Sequence, residues 1–167
     1  MENAFIERWS TCQEDVLERI AYNAAQMAEH HRQGYYQLVN QLKYYKIPVI
    51  IISSMNSVFS VGLNNYIDQN IVSTLTCLLS LIVSCISSIE LYLSLQRRSD
   101  SELVSYSAFY NLSLKISTTL KLDREQRQGE GDQFLTRMIG EYTACFENAL
   151  ANGLGSDDRL VELKTIT

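Results

Sequence analysis

The chain has 167 residues, 46% of them hydrophobic and 20% charged, with a net charge of −5; that is room for one domain or a small cluster of helices. The apolar fraction excludes a disordered chain, and 7 Gly with 1 Pro exclude a collagen-like or Gly/Pro-rich one. The acidic balance, with a pI near 5.0, argues against nucleic acid as a partner, because a binder of phosphate backbones needs a basic face.

Charge is segregated along the chain. Charged residues are dense up to Lys46 and again from Glu90 onward, whereas Asp68 is the only one between Ile47 and Ile89. Residues 1–46 contain no continuous apolar core, so a signal peptide is not expected there. Their apolar residues recur at Ile6, Trp9, Val16/Leu17, Ile20, Ala24, Met27, Tyr35, Leu38, Leu42 and Tyr45. This three-to-four spacing predicts a long amphipathic stalk helix or coiled-coil strand, with Gly34 its weak point.

Two uncharged stretches follow, residues 47–67 and 69–89, each near the roughly 20 residues that cross a bilayer as a helix, the second giving a predicted span over residues 71–92. They predict a first and a second transmembrane helix. The joint Asn64-Asn65-Tyr66-Ile67-Asp68-Gln69-Asn70, with its tip at 68–70, is short and polar and forces them antiparallel. Pro48 stands at the start of the first span, where its missing N–H costs nothing. Tyr44, Tyr45 and Tyr92 mark one interface and Tyr66 the other, as amphipathic rings prefer. Lys43 and Lys46 precede the first span and Arg97 and Arg98 follow the second, while the tip has no Lys or Arg. The positive-inside rule then places both termini in the cytoplasm. A hairpin buried inside a water-soluble bundle is the rival reading, and it requires these stretches to be covered by other protein.

The spans carry small polar faces: Ser53, Asn56, Ser57 and Ser60 on the first, and Ser73, Cys77, Ser80, Ser84 and Ser88 on the second. Such faces serve either close helix–helix packing or the lining of a pore. Pairing the spans from the tip outward brings Glu90 level with Lys46, giving an interface ion pair, with a gating or binding role for Glu90 as the alternative.

Residues 93–122 continue the helical pattern without a break signal. Leu93, Leu103, Tyr106, Tyr110 and Leu114 form one face, flanked by Phe109, Leu112, Ile116 and Leu120, and hairpin pairing sets His31 against Val104, Met27 against Ala108 and Leu42 against Leu93. Residues 123–132 read as a charged turn in which Arg124 and Arg127 offset Asp123, Glu125 and Asp132. Asp132 is the expected N-cap of a C-terminal helix over residues 133–150 that folds back on the stalk through Phe134/Leu135, Met138/Ile139, Tyr142, Cys145/Phe146 and Ala149/Leu150. Residues 151–167 read as a tail that orders against a partner. The fold class is therefore all-α: a two-span hairpin, a long antiparallel stalk and a short fold-back helix.

Catalytic chemistry finds no foothold. Cys12, Cys77, Cys85 and Cys145 form no C-x-x-C pair and are expected as small buried thiols. His30 and His31 are adjacent, about 100° apart on a helix, and cannot chelate one metal together. No nucleophile motif or phosphate-binding glycine loop is present, so neither an enzyme nor a cofactor or metal site is expected. The sequon at Asn111 falls on the predicted cytoplasmic side and should be unused.

The run from Ile47-Pro48-Val49 to Asn56-Ser57, then Cys77-Leu78-Leu79-Ser80-Leu81 with Ser88-Ile89-Glu90-Leu91-Tyr92-Leu93, resembles a family of two-span proteins encoded by nucleocytoplasmic large DNA viruses and related to SLATT-type domains. Phe109-Tyr110, then Leu122-Asp123-Arg124-Glu125 and Phe134-Leu135, match its downstream pattern, and the likeness covers about residues 43–148. In the second span Ser84 and Ser87 stand where the family has small glycines. The resemblance implies a self-associating minor capsid protein in the virion's internal membrane, which derives from an endoplasmic-reticulum-type host membrane, with both termini facing the capsid proteins. SLATT-type domains imply the alternative, a homo-oligomeric channel or pore-forming membrane effector.

Overall fold

A computed structural model describes residues 8–62 and 66–151. Among these the chain is all-helical: α1 (Thr11–Gly62), α2 (Gln69–Leu93), α3 (Leu95–Leu120) and α4 (Gly131–Ala151). Ile6 of the amphipathic repeat, Asn64 and Asn65 of the tip, and the tail beyond Ala151 lie outside the described residues. The helices divide into two compact units, one drawn from the chain up to Tyr35 and from Asp100 onward, the other spanning Tyr36–Ser99.

The first unit packs three helices around one core. From α1 come Leu17, Ile20, Ala21, Ala24, Met27 and Ala28, from α3 Phe109, Leu112 and Ile116, and from α4 Phe134 and Met138, with Trp9 closing one end. Alanines at three of the α1 positions leave room for the rings of Phe109, Tyr142 and Phe146, which meet edge-to-face at 4.9–6.3 Å. Deleting Phe109, fully buried, should therefore cost about 3–5 kcal/mol.

Several expectations for this unit need correction. The face of α3 turned inward is that of Phe109, Leu112 and Ile116, while Leu103, Tyr110 and Leu114 stay about half exposed. Wholly apolar side chains take the interior, and tyrosine keeps its hydroxyl in water. His31 does not meet Val104, which is 62% exposed, but Glu102 and Phe109. Asp132 is not a cap: α4 starts at Gly131, so Asp132 sits in its first turn, where a carboxylate still favours the helix dipole. Gly129, at φ 85°, makes the backward turn into α4.

The second unit pairs the later part of α1 with α2. Leu42, Tyr45, Pro48/Val49, Ile52, Asn56 and Phe59 on α1, and Val72, Thr76, Leu79, Val83, Ile86 and Glu90 on α2, are among the less exposed positions. Their alternating spacing of three and four is that of a coiled-coil seam. Pro48 lies inside α1 instead of at a helix start, so the Tyr44 carbonyl loses its i+4 donor. Helix continuity also fails after α2. Ser94 adopts a left-handed conformation (φ 51°), its N–H bonding back to the Leu91 carbonyl at 3.1 Å. This local break turns Leu95 and Ser99 inward, where both are buried.

Candidate functional site

In the second unit hydrophobicity faces outward. Ile47, Ile50, Ile51, Met55, Val58 and Val61 on α1 are 47–81% exposed, and Ile71, Leu78, Leu81, Ile82, Ile89 and Leu91 on α2 are 46–80% exposed. The helical stretch from Gln69 is long and apolar enough to cross a membrane, and only 6% of its most apolar window is buried. A half-exposed Leu or Ile forgoes about 1 kcal/mol of burial. Summed over this face, the loss is comparable to the whole stability of a domain, roughly 5–15 kcal/mol. The covering protein that a soluble-bundle reading requires is not supplied by this chain's described residues.

Several hydroxyls within this apolar surface are satisfied inside their own helices, whereas the buried Asn56 Oδ1 has no partner. Ser54 and Ser57 donate to the Ile50 and Ser53 carbonyls at 2.8 and 3.1 Å. Thr74 and Ser88 do the same to Asn70 and Ser84, both at 2.8 Å. Such back-bonding lowers the cost of placing a hydroxyl in hydrocarbon. Across the seam, Asn56 Nδ2 donates to Ser80 Oγ at 3.0 Å.

Asn56 and Ser80 meet across the seam, but the rest of the small polar stripe is not what joins the helices. Ser73, Cys77, Ser80, Ser84 and Ser88 are exposed, as are Ser53, Ser57 and Ser60, because the larger Val72, Leu79, Val83 and Ile86, one or two positions away, fill the seam. The thiols are likewise not buried: Cys12, Cys77 and Cys85 are exposed and Cys145 is half-buried, and all are free.

The residues expected as interface anchors fall at the border of the apolar surface. Tyr44, Tyr66 and Tyr92 are 81–87% exposed, Tyr45 is partly covered, and Lys43, Arg97 and Arg98 are exposed. Lys46 Nζ stands 4.0 Å from Glu90 and donates to Gln96 Oε1 at 2.9 Å, the shorter of its two contacts.

The first unit holds a cluster that spacing along the chain could not reveal. Arg124 and Arg127 both reach out of their own turn to Glu14 on α1, Arg124 through Nε at 2.9 Å and Nη2 at 2.8 Å, and Arg127 through Nη1. Arg127, 8% exposed, also donates to the Leu120 and Leu122 carbonyls at 2.9 Å, capping the end of α3. Its guanidinium lies 4.9 Å from the Trp9 ring centroid. The hydrogen bond from Arg124 pulls the Glu14 carboxyl down to about 2, against a smaller opposing effect of burial and with further help from Arg127. The Gly131 N–H bonds the Arg8 carbonyl at 2.9 Å, and a Cβ at Gly131 would stand 2.4 Å from Gln13 Oε1. Together these contacts lock the α3–α4 turn onto the start of α1.

At the other end of this unit His31, 1% exposed, hydrogen-bonds Glu102 Oε2 through Nδ1 at 2.7 Å and stacks on Phe109 with ring centroids 5.6 Å apart. Gly34 admits the Glu102 carboxylate, which lies 3.0 Å from where a Cβ would be. Asn23 is fully buried, and neither of its amide atoms has a partner. No group of three metal-ligating side chains occurs among the described residues.

Known proteins add one point. Over 137 residues, 82% of this chain and 71% of the relative, the sequence is 27% identical to uncharacterized protein VP11 of Micromonas pusilla reovirus (isolate Netherlands/2005). The chain is similar to a viral protein. No protein-family model matches it, and no solved structure does.

Proposed function

We propose that this is a membrane-anchored viral structural protein. The second unit enters the bilayer as a two-span hairpin, and the first stands on the cytoplasmic, capsid-facing side, tethering an internal membrane to the capsid shell as a minor capsid protein. The observation that carries this reading is the contrast between the units: one buries a complete apolar core, and the other leaves its apolar side chains bare. The similarity to a reovirus protein supports a viral role.

A surface for the capsid partner is available on α3. From Leu103 to Leu114 that helix carries no charge, yet Leu103, Val104, Tyr110 and Leu114 are 43–62% exposed. A water-facing helix ordinarily carries charges on its outer face, so this face suits a protein partner. Val104→Cys, crosslinked in purified particles, should capture a capsid protein. Particles lacking the chain altogether, or containing it without a capsid crosslink, would contradict the tether.

The exposed serine stripe favours a second reading, a homo-oligomeric channel. Planar bilayers containing the protein would then conduct, and Ser80→Leu with Ser84→Leu would abolish the current.

A further inference from the structure

We propose that an open groove of about 550 Å³ beside Pro48, lined by Asn40, Lys43, Tyr44, Ile47 and Pro48, binds an anionic phospholipid whose headgroup also carries a hydrogen-bond donor, such as a serine ammonium or a polyol hydroxyl; this rests on the membrane reading above. The groove changes character along its length in the way a phospholipid does. Asn40 and Lys43 make its polar end, whereas Ile47, 52% exposed, and the Pro48 ring make its apolar end at the start of the uncharged stretch.

The charge balance points to an anion. Arg19, Arg32, Lys115, Arg124 and Arg127 each have a carboxylate partner. Lys43 does not: among the described residues its ammonium donates only to the neutral Asn40 Oδ1, at 3.1 Å. Arg97 and Arg98 are exposed, and the 2.9 Å contact of Lys46 with Gln96 brings the residue before Arg97 alongside α1, one turn from Lys43. Uncompensated cations thus gather at the border of the apolar surface, where each interfacial Lys or Arg contributes attraction to anionic lipid.

Pro48 supplies the second recognition element. Having no N–H, it leaves the Tyr44 carbonyl without its helical donor. An acceptor and a cation then come from adjacent residues of α1, the Lys43 ammonium for the lipid phosphate and the Tyr44 carbonyl for a donor on the headgroup. A choline headgroup offers no such donor.

The test uses full-length protein reconstituted into bilayers of equal parts phosphatidylserine and phosphatidylcholine, then released into the gas phase for native mass spectrometry of retained lipid. Phosphatidylserine should be retained in preference to phosphatidylcholine. Lys43→Gln should reduce that preference about fivefold, the worth of one interfacial cation. Lys43→Arg should keep it, and Pro48→Ala should reduce it while leaving every cation in place. Equal retention of both lipids by the unaltered chain, or an unchanged preference in Lys43→Gln, overturns the proposal. Far-UV circular dichroism reports whether the helices of each variant are formed, and Trp9 emission whether the first unit is intact. Flotation with pure phosphatidylcholine vesicles separates the two ideas: a chain that floats without lipid preference refutes the groove alone, and one that never floats refutes the membrane reading as well.

Discussion

Replacing Glu14 by Gln tests how the first unit is closed. The substitution keeps the shape and removes the charge that two arginines share, leaving the Arg127 side chain, 6% exposed, without its counter-ion. The Glu14 carboxyl is drawn from 4.5 to about 2, which at about 1.4 kcal/mol per pH unit corresponds to roughly 3 kcal/mol of stability. Solvent reduces this, because Glu14 is 24% and Arg124 36% exposed, so about 1–2 kcal/mol is expected. A lowered carboxyl stabilises the fold above its ordinary value, and this contribution drains away as pH falls from about 4.5 toward 2. Urea titrations in a mild detergent, followed through Trp9, the single tryptophan of the chain, should show Glu14→Gln weaker by about 1–2 kcal/mol at pH 7 and converging with the unaltered chain near pH 2. Equal midpoints at pH 7, or a constant gap between the curves down to pH 2, would refute the role given to Glu14.

The same titration serves three further substitutions. Asn23→Leu removes a buried amide with no partner and should raise stability by about 1 kcal/mol; a loss of that size would mean that the amide is bonded through water. Gly131→Ala pushes a methyl group against Gln13 and to 3.1 Å from the Arg8 carbonyl and should cost about 1–2 kcal/mol, so an unchanged midpoint would show the turn to be looser than described. Phe109→Ala should cost about 3–5 kcal/mol, and a cost below 1 kcal/mol would mean that the ring cluster is not the centre of the core.

Helix type and order were legible in the sequence because they follow from local patterns: the apolar repeat of α1, the uncharged stretch of α2, and the glycine-punctuated turn before α4. What escaped was settled by contacts distant in sequence. Glu14 and Arg124 stand 110 residues apart, and nothing near either marks the other as its partner. Leu103, Tyr106, Tyr110 and Leu114 repeat along α3 as regularly as Phe109, Leu112 and Ile116, and the packing of α1 and α4 selects the latter, keeping only Tyr106 of the former partly buried against the core. Ser94 carried no break signal, since serine, unlike glycine, seldom adopts a left-handed conformation. The serine stripe showed which residues share a face but not which face meets α1. That choice fell to the neighbouring larger side chains, which fill a seam more completely.

The native cysteines offer the most direct measurement of whether the apolar hairpin lies in lipid. Cys12, Cys77 and Cys85 are all exposed on the protein surface, while burial pushes the Cys145 thiol up and slows its reaction. In sealed proteoliposomes opened by freeze–thaw, so that both faces meet reagent, a charged water-soluble maleimide should label Cys12 and leave Cys77 and Cys85 unmodified until detergent is added. Labelling of Cys77 and Cys85 at the rate of Cys12 in the intact bilayer would contradict the account.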